Sequence, residues 1–154
     1  MVKILIMDVD GTLTDGKIYI GAGGEVMKAF DVKDGYAIRN ILPRRGIIPV
    51  IISGRSSAIV ERRAKELGIE YLYQGVEDKA EHLRMIGSKL GIPFEQMACI
   101  GDDLNDLSMM KLCSVKGCPS DAVSDLKAIC DYVCKASGGH SAVREFIEWL
   151  VGIV

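Results

Sequence analysis

Met7-Asp8-Val9-Asp10-Gly11-Thr12-Leu13-Thr14 places two carboxylates one residue apart, directly after the largely apolar run Val2 to Ile6. In an extended strand residues i and i+2 face the same way, so Asp8 and Asp10 are expected to converge on one point. Two anions that close repel, and a hard cation is the usual remedy. Gly11 lets the chain leave the strand sharply and lets its backbone approach an anion. Taken alone, the pair also reads as a strand end with two solvated acids, so the weight rests on residues further along the chain.

Three further stretches carry chemistry. The apolar run Ile47 to Ile52 ends in Ser53-Gly54-Arg55, which sets a hydroxyl and free backbone N–H groups ahead of a helix, where an anion would sit. An ordinary helix cap explains that serine equally well when it is considered by itself. Asp78-Lys79 opens another helical pattern, and a lysine in a first turn runs against the helix dipole. Something must compensate Lys79, unless it is a surface lysine at a small local cost. Met97 to Ile100 then ends in Gly101-Asp102-Asp103-Leu104-Asn105-Asp106, a cluster of acids that is expensive to gather without a cation.

The elements that must position these groups can be read from the hydrophobic pattern. Short apolar runs alternate with helical periodicity throughout, which predicts an α/β fold: a three-layer, Rossmann-like parallel sheet with helices on both faces. The chain's 154 residues suggest a single domain over 1–154 with no room for a separate cap domain. Lys17–Ile20 and Glu25–Phe30 flank Gly21-Ala-Gly-Gly24, a predicted β-hairpin flap at about 17–30 with a four-residue loop. Helices are expected from an Asp34 cap to Pro43, from Ser56 to about Leu67, from Asp78 to Leu90 and from Ser141 to Val151. Short strands are expected at Glu70–Tyr73, Ser114–Lys116 and Asp131–Cys134.

Composition narrows the function classes. A net charge of −2 from 19 basic and 21 acidic residues offers no field for nucleic acid or anionic lipid. Hydrophobic content of 49% with 26% charged residues fits a globular protein, and no apolar run is long enough to span a bilayer. Met1 leads straight into a strand, so no signal peptide is expected and the location is expected to be cytoplasmic. The five cysteines are expected to be buried free thiols, since Cys130 and Cys134 bracket a strand-like segment that holds them apart.

Asp8-x-Asp10-Gly-Thr-Leu-Thr, Ser53, Lys79 and Gly-Asp102-Asp103-x-x-Asp106, in that order, resemble the haloacid dehalogenase superfamily of phosphatases. Lys28-Ala-Phe-x-Val-x-x-Gly-Tyr36, Gln74-Gly75-Val-x-Asp-Lys79 and Gly138-Gly139-x-x-Ala-Val-Arg-Glu145 are similar to its lidless branch. Members of that branch dephosphorylate 3-deoxy-D-manno-octulosonate 8-phosphate or, as an alternative, nonulosonate 9-phosphates. The resemblance implies that Asp8 is the nucleophile and Asp10 the general acid and base, with Ser53 and Lys79 steadying the phosphoryl group. It implies magnesium on the Asp8 carboxylate, the Asp10 carbonyl and Asp102, with Asp103 and Asp106 orienting its waters. Gly54, Arg55, Arg63 and His140 are the expected substrate-binding set, the last two from either the same chain or a neighbour. Arg55 resembles the octulosonate branch, whereas Gly138-Gly139-His140-Ser141 departs from its common Gly-Gly-Arg-Gly. The resemblance also implies a homotetramer in which a neighbour covers each site. Two other readings compete with it: a non-catalytic domain of a sugar-acid cytidylyltransferase system, and a receiver domain, whose acid spacing does not match.

Overall fold

The computed structural model describes residues 1–153. Strand β1 (Ile4–Met7) is followed by a hairpin of β2 (Tyr19–Gly21) and β3 (Gly24–Met27). A helical stretch comes next, built of α1 (Val32–Tyr36), a π turn (Ala37–Ile41) and α2 (Leu42–Arg44). The chain continues through β4 (Ile48–Ile52), α3 (Ala58–Leu67), β5 (Tyr71–Tyr73), α4 (Lys79–Leu90) and β6 (Met97–Ile100). It then forms α5 (Leu107–Met110), β7 (Val115–Cys118), α6 (Ser124–Lys127), β8 (Tyr132–Val133) and α7 (Ala142–Ile153).

Six strands form one sheet in the order β5-β4-β1-β6-β7-β8, with every neighbouring pair parallel. Parallel neighbours need crossover connections, and the intervening helices supply them on both faces. The pleat sorts β1 accordingly. Leu5 and Met7 enter a core shared with α3 and α7, while Ile4 and Ile6 enter the opposite core shared with α4 and α5. All four are fully buried, so the strand reads as one apolar run rather than an alternation.

The chain winds outward from β1 to β4 and β5, then returns to β6 beside β1 and winds the other way. Ligands in open α/β sheets sit beyond the carboxyl ends of the strands at such a reversal. Here that crevice lies just past Met7 and Ile100, where the acidic segments begin.

Several local expectations are corrected. The first long helix is capped by Asp31, whose side chain accepts from Lys33 N at 2.7 Å. Asp34 lies inside α1, buried, and accepts from Arg144 N at the start of α7 at 2.7 Å. The helix ends at Arg44, just ahead of Gly46 at φ +66° as expected, but Pro43 lies inside α2. It has no N–H and its ring crowds the carbonyl four residues back, and the wider π turn ahead of it relieves both problems. Helix α3 starts at Ala58 rather than Ser56, and its cap is Ser57, whose hydroxyl accepts from Ile59 N, not Ser53. The hairpin turns on Ala22-Gly23 alone, tighter than a four-residue loop. Its Ile20, Val26 and Met27 are exposed, whereas Phe30 packs partly against the core beneath the Arg63 guanidinium. All five cysteines are free; four are buried and Cys130 is half-buried.

Candidate active site

The floor of the crevice is built from three elements. Asp8 follows β1 directly, and its backbone N–H donates to the Ile100 carbonyl at 3.1 Å, which pins it between the two central strands. Lys79 opens α4 after the Asp78 cap, and its side chain is wholly buried. Its ammonium donates to Asp8 Oδ1 at 2.7 Å and to Asp106 Oδ1 at 2.6 Å. Those two carboxylates outweigh the unfavourable dipole of the helix start. The other Asp106 oxygen accepts from the backbone N–H groups of Asp102 and Asp103. Asp106 therefore ties the loop after β6 to Lys79, a structural task beyond the water-orienting one expected of it. Asp103 is exposed and caps the turn through Leu104 N at 2.7 Å.

One lysine does not balance the acids gathered here. Asp8, Asp102 and Asp106 bring carboxylate oxygens within 4.8 Å of one another. Burial, with the charge of Asp106 added, raises the Asp8 pKa to about 6 against the pull of Lys79. Burial and the charge of Asp8 raise Asp102 to about 8. Burial alone would lower the Lys79 pKa, but Asp8 and Asp106 outweigh it and raise the pKa. A surplus of buried negative charge made of hard oxygen donors is a site a small divalent cation relieves, and magnesium fits this donor set.

The loop after Asp8 is shaped for close approach. Thr12, Leu13 and Thr14 all direct backbone N–H groups to the Val9 carbonyl. Gly11 has φ +94°, and a Cβ there would stand 2.0 Å from Asp102 Oδ2, so no other residue fits. Thr12 Oγ1 donates to Asp102 Oδ1 at 3.2 Å. Gly138 braces the loop from behind, since a Cβ on it would fall 1.9 Å from the Gly11 carbonyl oxygen.

Asp8, Asp10, Ser53, Gly54, Arg55 and Asp102 line the same cleft, of about 470 Å³. The expected convergence of Asp8 and Asp10 is corrected in detail. Asp10 lies past the end of β1, in the turn, and its carboxylate pairs with Lys28 of the hairpin instead of joining the three-acid cluster. Ser53 is buried at the end of β4. Arg55 is half-exposed at the rim, 3.6 Å from Glu25 Oε2. Arg63 and His140 are not brought to this cleft within one chain. Arg63 packs across Gly35 and Phe30 with its guanidinium donating to the Asp31 carbonyl, and exposed His140 bonds the Gly138 carbonyl through Nδ1 at 3.0 Å. Lys28 and Glu25 were missed as site residues. The available signal was Glu25 and Lys28, three residues apart on the second arm of a hairpin directly after the acidic loop.

Comparison with known proteins agrees with this geometry. A family model described as haloacid dehalogenase-like hydrolase matches residues 72–147, the part that holds Lys79, Asp102 and Asp106. The 3-deoxy-D-manno-octulosonate 8-phosphate phosphatase of Escherichia coli is 43% identical over 150 residues, covering 97% of this chain and 79% of that protein. The Moraxella catarrhalis enzyme of the same name, solved with magnesium ion, phosphate ion and a KDO molecule, superposes with a TM-score of 0.94 at 42% identity, covering 98% of this chain and 86% of that one. The cobalt-bound deoxy-D-mannose-octulosonate 8-phosphate phosphatase of Haemophilus influenzae gives a TM-score of 0.93 at 35% identity, covering 98% and 88%.

Proposed function

The chain belongs to the haloacid dehalogenase-like hydrolases, and from that premise we propose that it is a magnesium-dependent phosphatase acting on 3-deoxy-D-manno-octulosonate 8-phosphate. The observation that carries the reading is the buried Asp8–Lys79–Asp106 chain, with Asp102 beside it and Asp10 on the same cleft. A non-catalytic domain has no need to keep so costly a set of buried charges.

Asp8 attacks phosphorus in line. Its Oδ–P bond forms as the bond to the sugar oxygen breaks, giving an aspartyl-phosphate. Asp10 gives a proton to the leaving sugar oxygen, then takes one from the water that cleaves the aspartyl-phosphate and restores Asp8. Lys79 holds Asp8 in one orientation and offsets its charge, while Ser53 and the N–H groups after Asp8 receive the phosphoryl oxygens. Asp8, Asp102 and the Asp10 carbonyl would hold the magnesium. When bound, that ion supplies Lewis-acid polarisation of the phosphoryl group. Arg55, at the rim, meets the substrate carboxylate with two hydrogen bonds.

The exposed Ile20, Val26 and Met27 of the hairpin need a cover. We infer that hairpins of several copies pack in a closed homotetramer, where a neighbour closes the site and supplies Arg63 or His140. Five free thiols support a reducing compartment such as the cytoplasm.

The test is a phosphatase screen of the magnesium-loaded protein over eight- and nine-carbon 2-keto-3-deoxy sugar acid phosphates beside hexose phosphates. The octulosonate 8-phosphate should give the highest kcat/KM. Preference for a nonulosonate 9-phosphate would move the substrate assignment, and preference for hexose phosphates would overturn it.

A further inference from the structure

Lys28 has an environment unlike any other lysine of the hairpin region. Its side chain is 1% exposed, its ammonium donates to Asp10 Oδ1, and it lies 3.0 Å from Glu25 Oε2. Glu25 in turn accepts from Ser57 Oγ at 2.6 Å, at the cap of α3. The hairpin is a separate two-stranded sheet with no ladder to the main one. Asp10–Lys28–Glu25–Ser57 is thus a continuous polar chain from the cleft, through the hairpin, to the body of the fold.

Asp10 needs such a partner. It has left the strand, so no ladder fixes its side chain, and the neighbouring carboxylates of Asp8 and Asp102 repel it. Only Oδ1 of Asp10 is engaged among the described residues, which leaves the second oxygen to the cleft. Glu25 gives the ammonium a second anchor, so Lys28 stays in place whichever proton state Asp10 passes through.

We propose that Lys28 is a positioning residue: seated by Glu25, it aims the Asp10 carboxyl at the leaving oxygen and couples that aim to the seating of the hairpin. The inference rests on the reading of Asp10 as general acid. It makes a prediction that a structural role does not. A sugar alkoxide is a poor leaving group that needs the proton, whereas p-nitrophenolate leaves readily without it, so misaiming Asp10 severely lowers kcat/KM, which reports formation of the aspartyl-phosphate, only for the first substrate, while hydrolysis of that intermediate is common to both.

The experiment measures kcat and KM of wild type, Lys28→Met, Lys28→Arg and Asp10→Asn on the sugar-acid phosphate and on p-nitrophenyl phosphate. Lys28→Met keeps the length of the apolar stem. Its kcat/KM on the sugar-acid phosphate should fall about 100-fold, against a loss of under about 5-fold in kcat/KM on the aryl phosphate. Lys28→Arg should restore most of the difference. Equal losses of kcat/KM on both substrates, or a loss on the sugar-acid phosphate carried by KM alone, would overturn the inference. If Lys28→Met does not fold, Glu25→Gln carries the test and should change the substrate ratio in the same direction by a smaller factor, with an unchanged ratio counting against the inference. Asp10→Asn separates the two ideas. If it loses sugar-acid cleavage selectively while Lys28→Met does not, Lys28 alone is misassigned; if it loses neither selectively, the general-acid reading fails as well.

Discussion

The floor of the cleft and the hairpin above it are held by opposite means. The floor is a set of charges buried at the ends of central strands, with Lys79 locked between two carboxylates and Asp106 locked to two backbone N–H groups. The hairpin is two short strands with bare Ile20, Val26 and Met27, seated by one polar chain. The difference separates two tasks. Under the proposed function, chemistry common to any phosphate ester is preorganised by the sheet, while reading the sugar is assigned to the rim, to Arg55 and the hairpin beside it.

Breaking the floor should therefore cost the most. Lys79→Met leaves two buried carboxylates without their cation, so we expect a loss of about 3–5 kcal/mol in denaturant unfolding. Activity should fall at least about 10³-fold on every substrate tested. A milder version removes the metal. Chelation should stop turnover, and returned magnesium should both restore it and raise the melting temperature of wild type but not of Asp102→Asn. An equal rise in both proteins would remove Asp102 from the donor set.

Breaking the hairpin should have a narrower effect. Ile20→Asp with Val26→Asp should yield smaller species by light scattering and lose sugar-acid selectivity while sparing aryl phosphatase activity. Loss of both activities together would deny the division between floor and flap.

That division also marks where the sequence was legible. Asp8, Ser53 and Asp102 could be placed because each ends a buried apolar run, and the parallel topology turns strand ends into one crevice. Lys79 was legible as an anomaly, a cation at the wrong end of a helix. Asp31 and Asp34 were not separable, since both are competent caps three residues apart. The choice rests on Arg144, 110 residues away, whose N–H claims Asp34. Lys28 was hidden for a similar reason: its contact with Asp10 exists only once the hairpin folds back over the turn.

Asp34 gives the smallest expected effect and sharpens the comparison from outside the cleft. Burial raises its pKa from 3.8 to about 7, with Asp31 adding to the rise and the Arg144 N–H and the Arg63 and Arg144 charges opposing it. The folded state thus holds a proton that the unfolded chain has released. Its contribution to stability is complete below about pH 4 and is lost as the pH rises through 7, with a limiting slope of about 1.4 kcal/mol per pH unit. The stability of Asp34→Asn relative to wild type should climb between pH 4 and 7 and then level off, while sugar-acid selectivity stays unchanged. A flat difference would mean that Asp34 is ionised throughout.

The account turns on Asp8 as the nucleophile in that fixed floor. Acid-quenching the magnesium-loaded protein during turnover, followed by peptide mass measurement, tests it most directly. We predict the mass of one added phosphoryl group on the peptide that contains Asp8, and neither adduct nor turnover in Asp8→Asn. An adduct mapped to another residue, or substantial turnover in Asp8→Asn, would contradict it.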